Sequence, residues 1–184
     1  PMGTAFAEYY RTGRAATLRV FSSQFDEDEI PVEQLFRTLE EMPHIEQQAL
    51  ALANGRILDV GAGSGCHALA LQAMGKDVTA VDISEEMLCV ASQKAQQMDM
   101  PPRFVCQRLQ KLRLPRAVDL AVCALDSMDY ITDPSDCQEA ICRVYKALNP
   151  GGIFIFDVNT PEKLRAMDGQ VFLDEDDDVY CVWR

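Results

Sequence analysis

From Arg56 onward the chain alternates short, largely apolar runs with amphipathic stretches. The runs are Ile57–Val60, Val78–Asp82, Phe104–Cys106, Leu120–Ala124 and Ile153–Val158. Runs this short, with no regular polar alternation, predict strands buried on both faces, as in a parallel sheet covered by helices. Between them, Cys66–Met74, Glu85–Gln97 and Ser135–Leu148 carry apolar residues at helical spacing. The alternation predicts an α/β, doubly wound, Rossmann-like and mostly parallel sheet.

Upstream, residues 4–22 read as a helical arm with Phe6, Tyr9, Tyr10, Leu18, Val20 and Phe21 as its apolar members, followed by a short acidic loop, Asp26–Glu29. Pro31 suits a helix start, and Val32, Leu35, Phe36 and Leu39 recur at helical spacing until Pro43. A second helix is expected from about His44 to Ala53, with Asn54-Gly55 as its stop signal. Beyond Asn159 the regularity ends. Residues 171–173 and 179–183 read as two short strands around Asp174, Glu175, Asp176, Asp177 and Asp178, a solvated acidic turn. The expected organisation is a helical arm or cap over residues 1–54, a core over 55–160 and a partial hairpin over 161–184.

Composition narrows the class. A chain of 184 residues, 48% of them hydrophobic, buries a core comparable to that of an ordinary domain and is too apolar for disorder. No apolar run approaches the roughly 20 residues of a membrane helix, and the first residues lack a basic-then-apolar leader pattern. Seventeen basic against 29 acidic residues give a net charge of −12, which argues against a nucleic-acid surface. Seven cysteines, with no CxxC pair and no zinc spacing, fit free thiols and a cytoplasmic setting better than a disulfide framework. No metal site is expected, since the acidic block lacks ligand spacing.

Two segments carry candidate chemistry. Ile57-Leu58-Asp59-Val60-Gly61-Ala62-Gly63-Ser64-Gly65-Cys66 is a strand, a glycine turn and a helix start. Such a turn brings backbone close to a ligand and aims free N–H groups at it. A nicotinamide-binding turn would have its third glycine at position 66, which is Cys66 here, so an oxidoreductase is disfavoured. Asp82 follows the turn by about 20 residues and ends the next strand, where a carboxylate can accept two hydrogen bonds from a ribose. Its bland alternative is a helix-terminal acid, with Ser84 the better cap ahead of Glu85-Glu86.

The G-x-G-x-G spacing after Asp59, with Asp82, the segment Ala124–Tyr130 and Leu148-Asn149-Pro150-Gly151-Gly152 before the fifth strand, resembles class I S-adenosylmethionine-dependent methyltransferases over residues 57–161. The resemblance implies that Gly61, Ala62, Gly63 and Gly65 pack against the methionine part of S-adenosyl-L-methionine and that Asp59 anchors its amino group. It implies further that Asp82 holds the ribose and that Ile83 lies beside the adenine, with Met87, Gln107, Arg108 and Asp126 among the cofactor contacts. Where family members often carry an acid for the adenine amino group, this chain has Cys106-Gln107-Arg108, and either the Gln107 side-chain carbonyl or the backbone there is expected to accept that bond. His67 is expected near the cofactor or at the solvent. The arm Phe6-Ala7-Glu8-Tyr9-Tyr10 is similar to an F-A-x-x-Y segment of a small bacterial subgroup, in which the Tyr covers the cofactor; Arg11 follows here in place of the usual Asp.

Displacement at a sulfonium needs alignment and dryness, and a base only when the acceptor must lose a proton. Asp126, Asp129 and Tyr10 are the catalytic candidates. The expected function is methyl transfer to a small-molecule acceptor, with neither membrane nor nucleic acid as partner. The class normally closes its sheet with further antiparallel strands, and the segment 161–184 reads as a truncated form of them. The alternative is therefore a cofactor-binding or assembly module without turnover, forming a homodimer through an open sheet edge.

Overall fold

The computed structural model describes residues 12, 18–20, 28–30, 37–167, 172–176 and 179–183. In chain order the elements are β1 (Leu18–Val20), β2 (Asp28–Ile30), α1 (His44–Ala51), β3 (Arg56–Val60), α2 (Cys66–Ala73), β4 (Asp77–Asp82), α3 (Glu85–Lys94), β5 (Arg103–Cys106), β6 (Val118–Cys123), α4 (Pro134–Ala147), β7 (Leu148–Phe156), α5 (Pro161–Met167), β8 (Phe172–Asp176) and β9 (Val179–Trp183). They fall into two compact units, Leu35–Val158 and the pair of segments Pro1–Gln34 and Asn159–Arg184. No described helix is long and apolar enough to cross a membrane.

The larger unit holds a five-stranded, wholly parallel sheet in the order β5-β4-β3-β6-β7. Successive side chains along a strand face opposite sides, and β3 shows why its sequence is apolar throughout. Ile57 packs with Met42, Leu50, Ala68 and Leu71 on one face, whereas Leu58 packs with Leu112, Ala140 and Val144 on the other. Both are fully buried. Leu50 ties α1, and Met42 the turn before it, into this core, so the segment just before β3 belongs with the sheet. The sheet registers Val60 against both Val81 and Cys123, which brings the carboxyl ends of β3, β4 and β6 to one level. Strand order reverses between β3 and β6, and a crevice at such a reversal is where open α/β sheets bind ligands.

Helix starts follow their sequence signals. Ser84 caps α3, its Oγ accepting the Met87 N–H at 3.2 Å, and Asp133 caps α4 ahead of Pro134.

In the smaller unit three expectations are corrected. Leu18–Val20 and Asp28–Ile30, read as part of a helical arm and an acidic loop, are antiparallel strands that register Leu18 with Ile30 and Arg19 with Glu29. Three residues are too few to distinguish a period of two from one of 3.6. The acidic block is not wholly a turn, because Asp174, Glu175 and Asp176 lie in β8, paired with β9; backbone ladder bonds override the weak strand preference of Asp. The stretch after Asn159 is not irregular throughout: Pro161 opens α5, and the Thr160 Oγ1 accepts the Lys163 N–H at 3.2 Å. Within the larger unit Leu39 begins a 3-10 turn and not a continuing helix. Tyr10, Val32, Leu35 and Phe36 lie outside the described residues.

Candidate functional site

The glycine turn leaves β3 and folds back onto β4. The Gly61 and Ala62 N–H groups both donate to the Val81 carbonyl, at 2.8 and 3.1 Å. Gly61 has a φ of +67°, and a Cβ there would lie 2.1 Å from the Ser127 Oγ. That hydroxyl is itself fixed, donating to the Ala124 carbonyl at 2.9 Å. Gly65, with a φ of +86°, caps α2 so close to α3 that a Cβ would lie 2.9 Å from the Ala91 Cβ. A side chain at either position is excluded by backbone conformation and by space.

Asp82 binds this turn to the next one. Its Oδ2 accepts the Gly63 N–H and its Oδ1 the Ser84 N–H, both at 2.8 Å. Each carboxylate oxygen keeps a further lone pair, so Asp82 holds the turn while remaining able to accept from a ligand. Met87 is buried beneath, its Cε within 3.2 Å of where a Gly63 Cβ would be. Lys94, on α3, donates to the Ser64 carbonyl at 2.9 Å. Burial pushes its ammonium pKa down, while the neighbouring Cys66 thiol acts the other way.

Asp59 lies under the turn on the Ile57 face of β3, 1% exposed. Its carboxylate accepts from the Ala68 N–H, yet its Oδ2 has no hydrogen-bond partner among the described residues. Burial pushes this carboxyl up to about 6; the charge of His67 and the Ala68 N–H oppose that rise, and the Asp82 charge adds to it. A rise from 3.8 to about 6 corresponds to about 3 kcal/mol in favour of the protonated form. An orphaned, buried acid oxygen is the kind of group a cationic donor would satisfy.

His67 does not reach solvent; it is 7% exposed, and its Nε2 lies 2.9 Å from the Glu46 Oε2 on α1. Arg37 donates to the same carboxylate at 3.3 Å. Burial alone would lower the His67 pKa, but the hydrogen bond to Glu46 and the charges of Asp59 and Glu46 outweigh it and leave the imidazole above its usual value. Burial would raise the Glu46 carboxyl, and the His67 hydrogen bond with the His67 and Arg37 charges holds it below the usual range.

Beside Asp82, Ile83 is 62% exposed, presenting an apolar surface. The Gln107 Oε1 accepts the Arg113 N–H at 3.3 Å and its Nε2 donates to the Arg113 carbonyl, which fixes the side chain beside the crevice and leaves a further lone pair on Oε1. Its N–H donates to the Asp82 carbonyl at 2.9 Å, and Arg108 is exposed.

The far wall of the crevice follows β6. Leu125 and Asp126 both have a φ of 59°, a left-handed conformation costing roughly 1–2 kcal/mol per non-glycine residue. Asp157 at the end of β7 holds them there, its Oδ2 accepting the Leu125 N–H at 2.9 Å and its Oδ1 the Asp126 N–H at 3.1 Å. Asp126 is exposed and Asp129 half-buried. The Cys123 thiol reports the charge around it: burial first, then Asp59, Asp157 and Asp129, push it up to about 12. The structure thus brings Asp59, the glycine turn, Asp82 and Met87 into one cluster, with Asp126 and Asp129 after the adjoining strand. Sequence reasoning missed Ser127, Lys94, Glu46 and Asp157. Of these only Asp157 had a visible signal, an acid closing an apolar strand.

Known proteins share this fold. A methyltransferase-domain family matches residues 57–152. A Bacteroides fragilis S-adenosylmethionine-dependent methyltransferase, solved with S-adenosyl-L-homocysteine, is 42% identical and superposes at a TM-score of 0.72, covering 84% of this chain and 62% of its own. The YqeM protein of Bacillus subtilis (strain 168), provisionally named a methyltransferase, is 33% identical over 132 residues, 71% of this chain and 53% of that protein. A ubiquinone biosynthesis O-methyltransferase of Coxiella burnetii (strain Dugway 5J108-111) is 32% identical over 116 residues, 62% of this chain and 47% of that enzyme. The chain spans about half the length of the curated relatives it matches. With the family matched over more than half of its length, on the turn and strands that build the crevice, this chain belongs to the methyltransferase-domain family.

Proposed function

We propose that the chain is the S-adenosyl-L-methionine-binding core of a methyltransferase whose acceptor is a small molecule. The observation that carries the reading is the buried Oδ2 of Asp59 beneath the glycine turn, without a hydrogen-bond partner among the described residues. The amino-acid end of the cofactor presents an ammonium group that suits it. Asp82, with lone pairs left on both oxygens, suits a ribose diol, and exposed Ile83 suits the face of an adenine. Gln107 and Arg108 border that face through backbone and exposed side chain. The cofactor supplies a methyl group activated on a sulfonium.

The chain's own residues bind, orient and exclude water. Asp126 and Asp129 flank the acceptor side, where either carboxylate can take a proton from a hydroxyl or ammonium acceptor; Tyr10 remains a further candidate. The small-molecule reading is supported by the net charge of −12, which disfavours a phosphate backbone, and by the O-methyltransferase among the relatives. Among the described residues six cysteines form no disulfide with one another, in keeping with a cytoplasmic setting.

Calorimetry with S-adenosyl-L-methionine and S-adenosyl-L-homocysteine, followed by a screen of small acceptors with methyl-labelled cofactor, tests the reading. Binding of both cofactor forms and label transfer to a small hydroxyl or amine compound are expected. Absence of binding, or transfer only to RNA or protein, overturns it.

A further inference from the structure

The buried charges behind the glycine turn form a chain that a purely structural contact would not require. Glu46 comes from α1, an element that precedes the turn by a whole strand, yet its carboxylate lies 2.9 Å from the His67 Nε2 in the first turn of α2. The next residue, Ala68, donates its N–H to Asp59, so the acid rests against the same helical turn that His67 occupies. Asp59 and His67 are 1% and 7% exposed, which leaves water little part in screening them.

We propose that Glu46 and His67 are positioning residues for cofactor capture: Glu46 fixes the His67 ring in the first turn of α2, beside the Ala68 N–H that holds Asp59, and this buried arrangement readies Asp59 to receive the cofactor's ammonium group. The inference rests on the reading of Asp59 as the ammonium acceptor. A carboxyl this deeply buried retains its proton unless a cation faces it, and a protonated carboxyl loses the charge that attracts an ammonium.

The groups facing Asp59 are few. On α2 are His67 and the Ala68 N–H, on β4 the Asp82 carboxylate, and on β6 the Cys123 thiol. Asp82 favours protonation of Asp59, so His67 is the side chain that opposes it. Facing His67 are Glu46, Asp59 and Arg37, and only Arg37 disfavours its charge. Arg37 is also drawn onto Glu46, so two cations share one carboxylate, and of the two His67 is the one whose charge acts on Asp59. Removing the Glu46 charge therefore discharges His67 and raises the pH at which Asp59 ionises.

The test follows S-adenosyl-L-homocysteine affinity from pH 5.5 to 8 in the unmodified chain and in Glu46→Gln. 5′-Methylthioadenosine, which lacks the ammonium, serves as the control probe. The acid limb of S-adenosyl-L-homocysteine binding is expected to move up by about one pH unit in the variant, giving roughly fivefold weaker binding at pH 6 and less than a twofold change at pH 8, with 5′-methylthioadenosine unaffected. A limb that does not move, or an equal loss for both probes at every pH, overturns the proposal.

Proton NMR titration of the unmodified chain supplies an independent readout, since it has only two histidines, His44 and His67. Saturation with S-adenosyl-L-homocysteine should lower the pKa of His67, as an ammonium arrives at the shared carboxylate, and leave His44 in place. An unchanged His67 on saturation overturns the proposal even if the variant fails to fold. Failure of S-adenosyl-L-homocysteine to bind at all would instead overturn the cofactor reading beneath it.

Discussion

The two ends of the parallel sheet use the same residue type in opposite ways. At the amino end, Asp119 on β6 accepts the Arg56 N–H of β3 at 2.8 Å and the Asn149 Nδ2–H of β7 at 2.7 Å, tying three adjacent strands together. Those two hydrogen bonds hold its carboxyl below the usual range. At the carboxyl end, Asp59 keeps one oxygen unpartnered among the described residues and is driven up to about 6, and Asp157 holds two residues in a left-handed turn. The amino end is satisfied within the protein. The carboxyl end retains unmet hydrogen-bonding capacity and strain, the condition expected where a ligand completes the arrangement. Helix amino ends gather at the carboxyl edge of such a sheet, so acids there are held among N–H groups that also suit a ligand.

Substitutions of the four acids sharpen or break this contrast, and they are ordered by effect on cofactor affinity. Asp82→Ala should weaken S-adenosyl-L-homocysteine binding about 100-fold or more, since charge-assisted hydrogen bonds contribute roughly 1.5–3 kcal/mol each; calorimetry showing less than a tenfold loss would break the contrast at its main point. Asp59→Asn should weaken binding roughly tenfold or more while stabilising the ligand-free protein. The sign follows from the raised native pKa. Between 3.8 and about 6 the native state binds more protons than the unfolded chain, so stability from this group is present below 3.8 and lost as pH rises to about 6. The gain in the variant should approach about 3 kcal/mol in urea melts at pH 7.5 and vanish near pH 4.

Asp157→Ala should destabilise the protein by about 2 kcal/mol and weaken binding only a few fold, as two charge-assisted bonds that offset the strain are lost. Adding Asp126→Gly should restore part of the stability, because glycine adopts the left-handed conformation freely; a strictly additive double variant would show that the turn is not what Asp157 holds. Asp119→Ala should lower the melting temperature and leave S-adenosyl-L-homocysteine affinity unchanged within twofold. A binding loss there comparable to that of Asp59→Asn would erase the difference between the two ends.

Much of the larger unit was legible because its signals are local. The five strands, the glycine turn and the Ser84 cap each rest on residues within a few positions of one another, where period, φ and capping chemistry act directly. The strands Leu18–Val20 and Asp28–Ile30 were not legible, since three residues carry almost no period and their stability comes from pairing with each other. Helix α5 was missed although Thr160-Pro161 is a start signal, because the segment has too few apolar residues to show a helical face.

The site divides along the same line. The turn at Gly61 and Gly65 and the place of Asp82 at the end of β4 could be read because they follow from backbone conformation and from spacing along one strand-turn-helix unit. The partners of His67 and Gln107, Glu46 and Arg113, could not, since side-chain pairings are left open by sequence alone. Sequence by itself determined the alternation of elements, the parallel sheet and the glycine turn, because each is set by hydrophobic period or by a residue's own steric freedom. Tertiary structure alone decided which acids are satisfied and which are left wanting a partner, because burial and charge depend on groups brought together from distant parts of the chain.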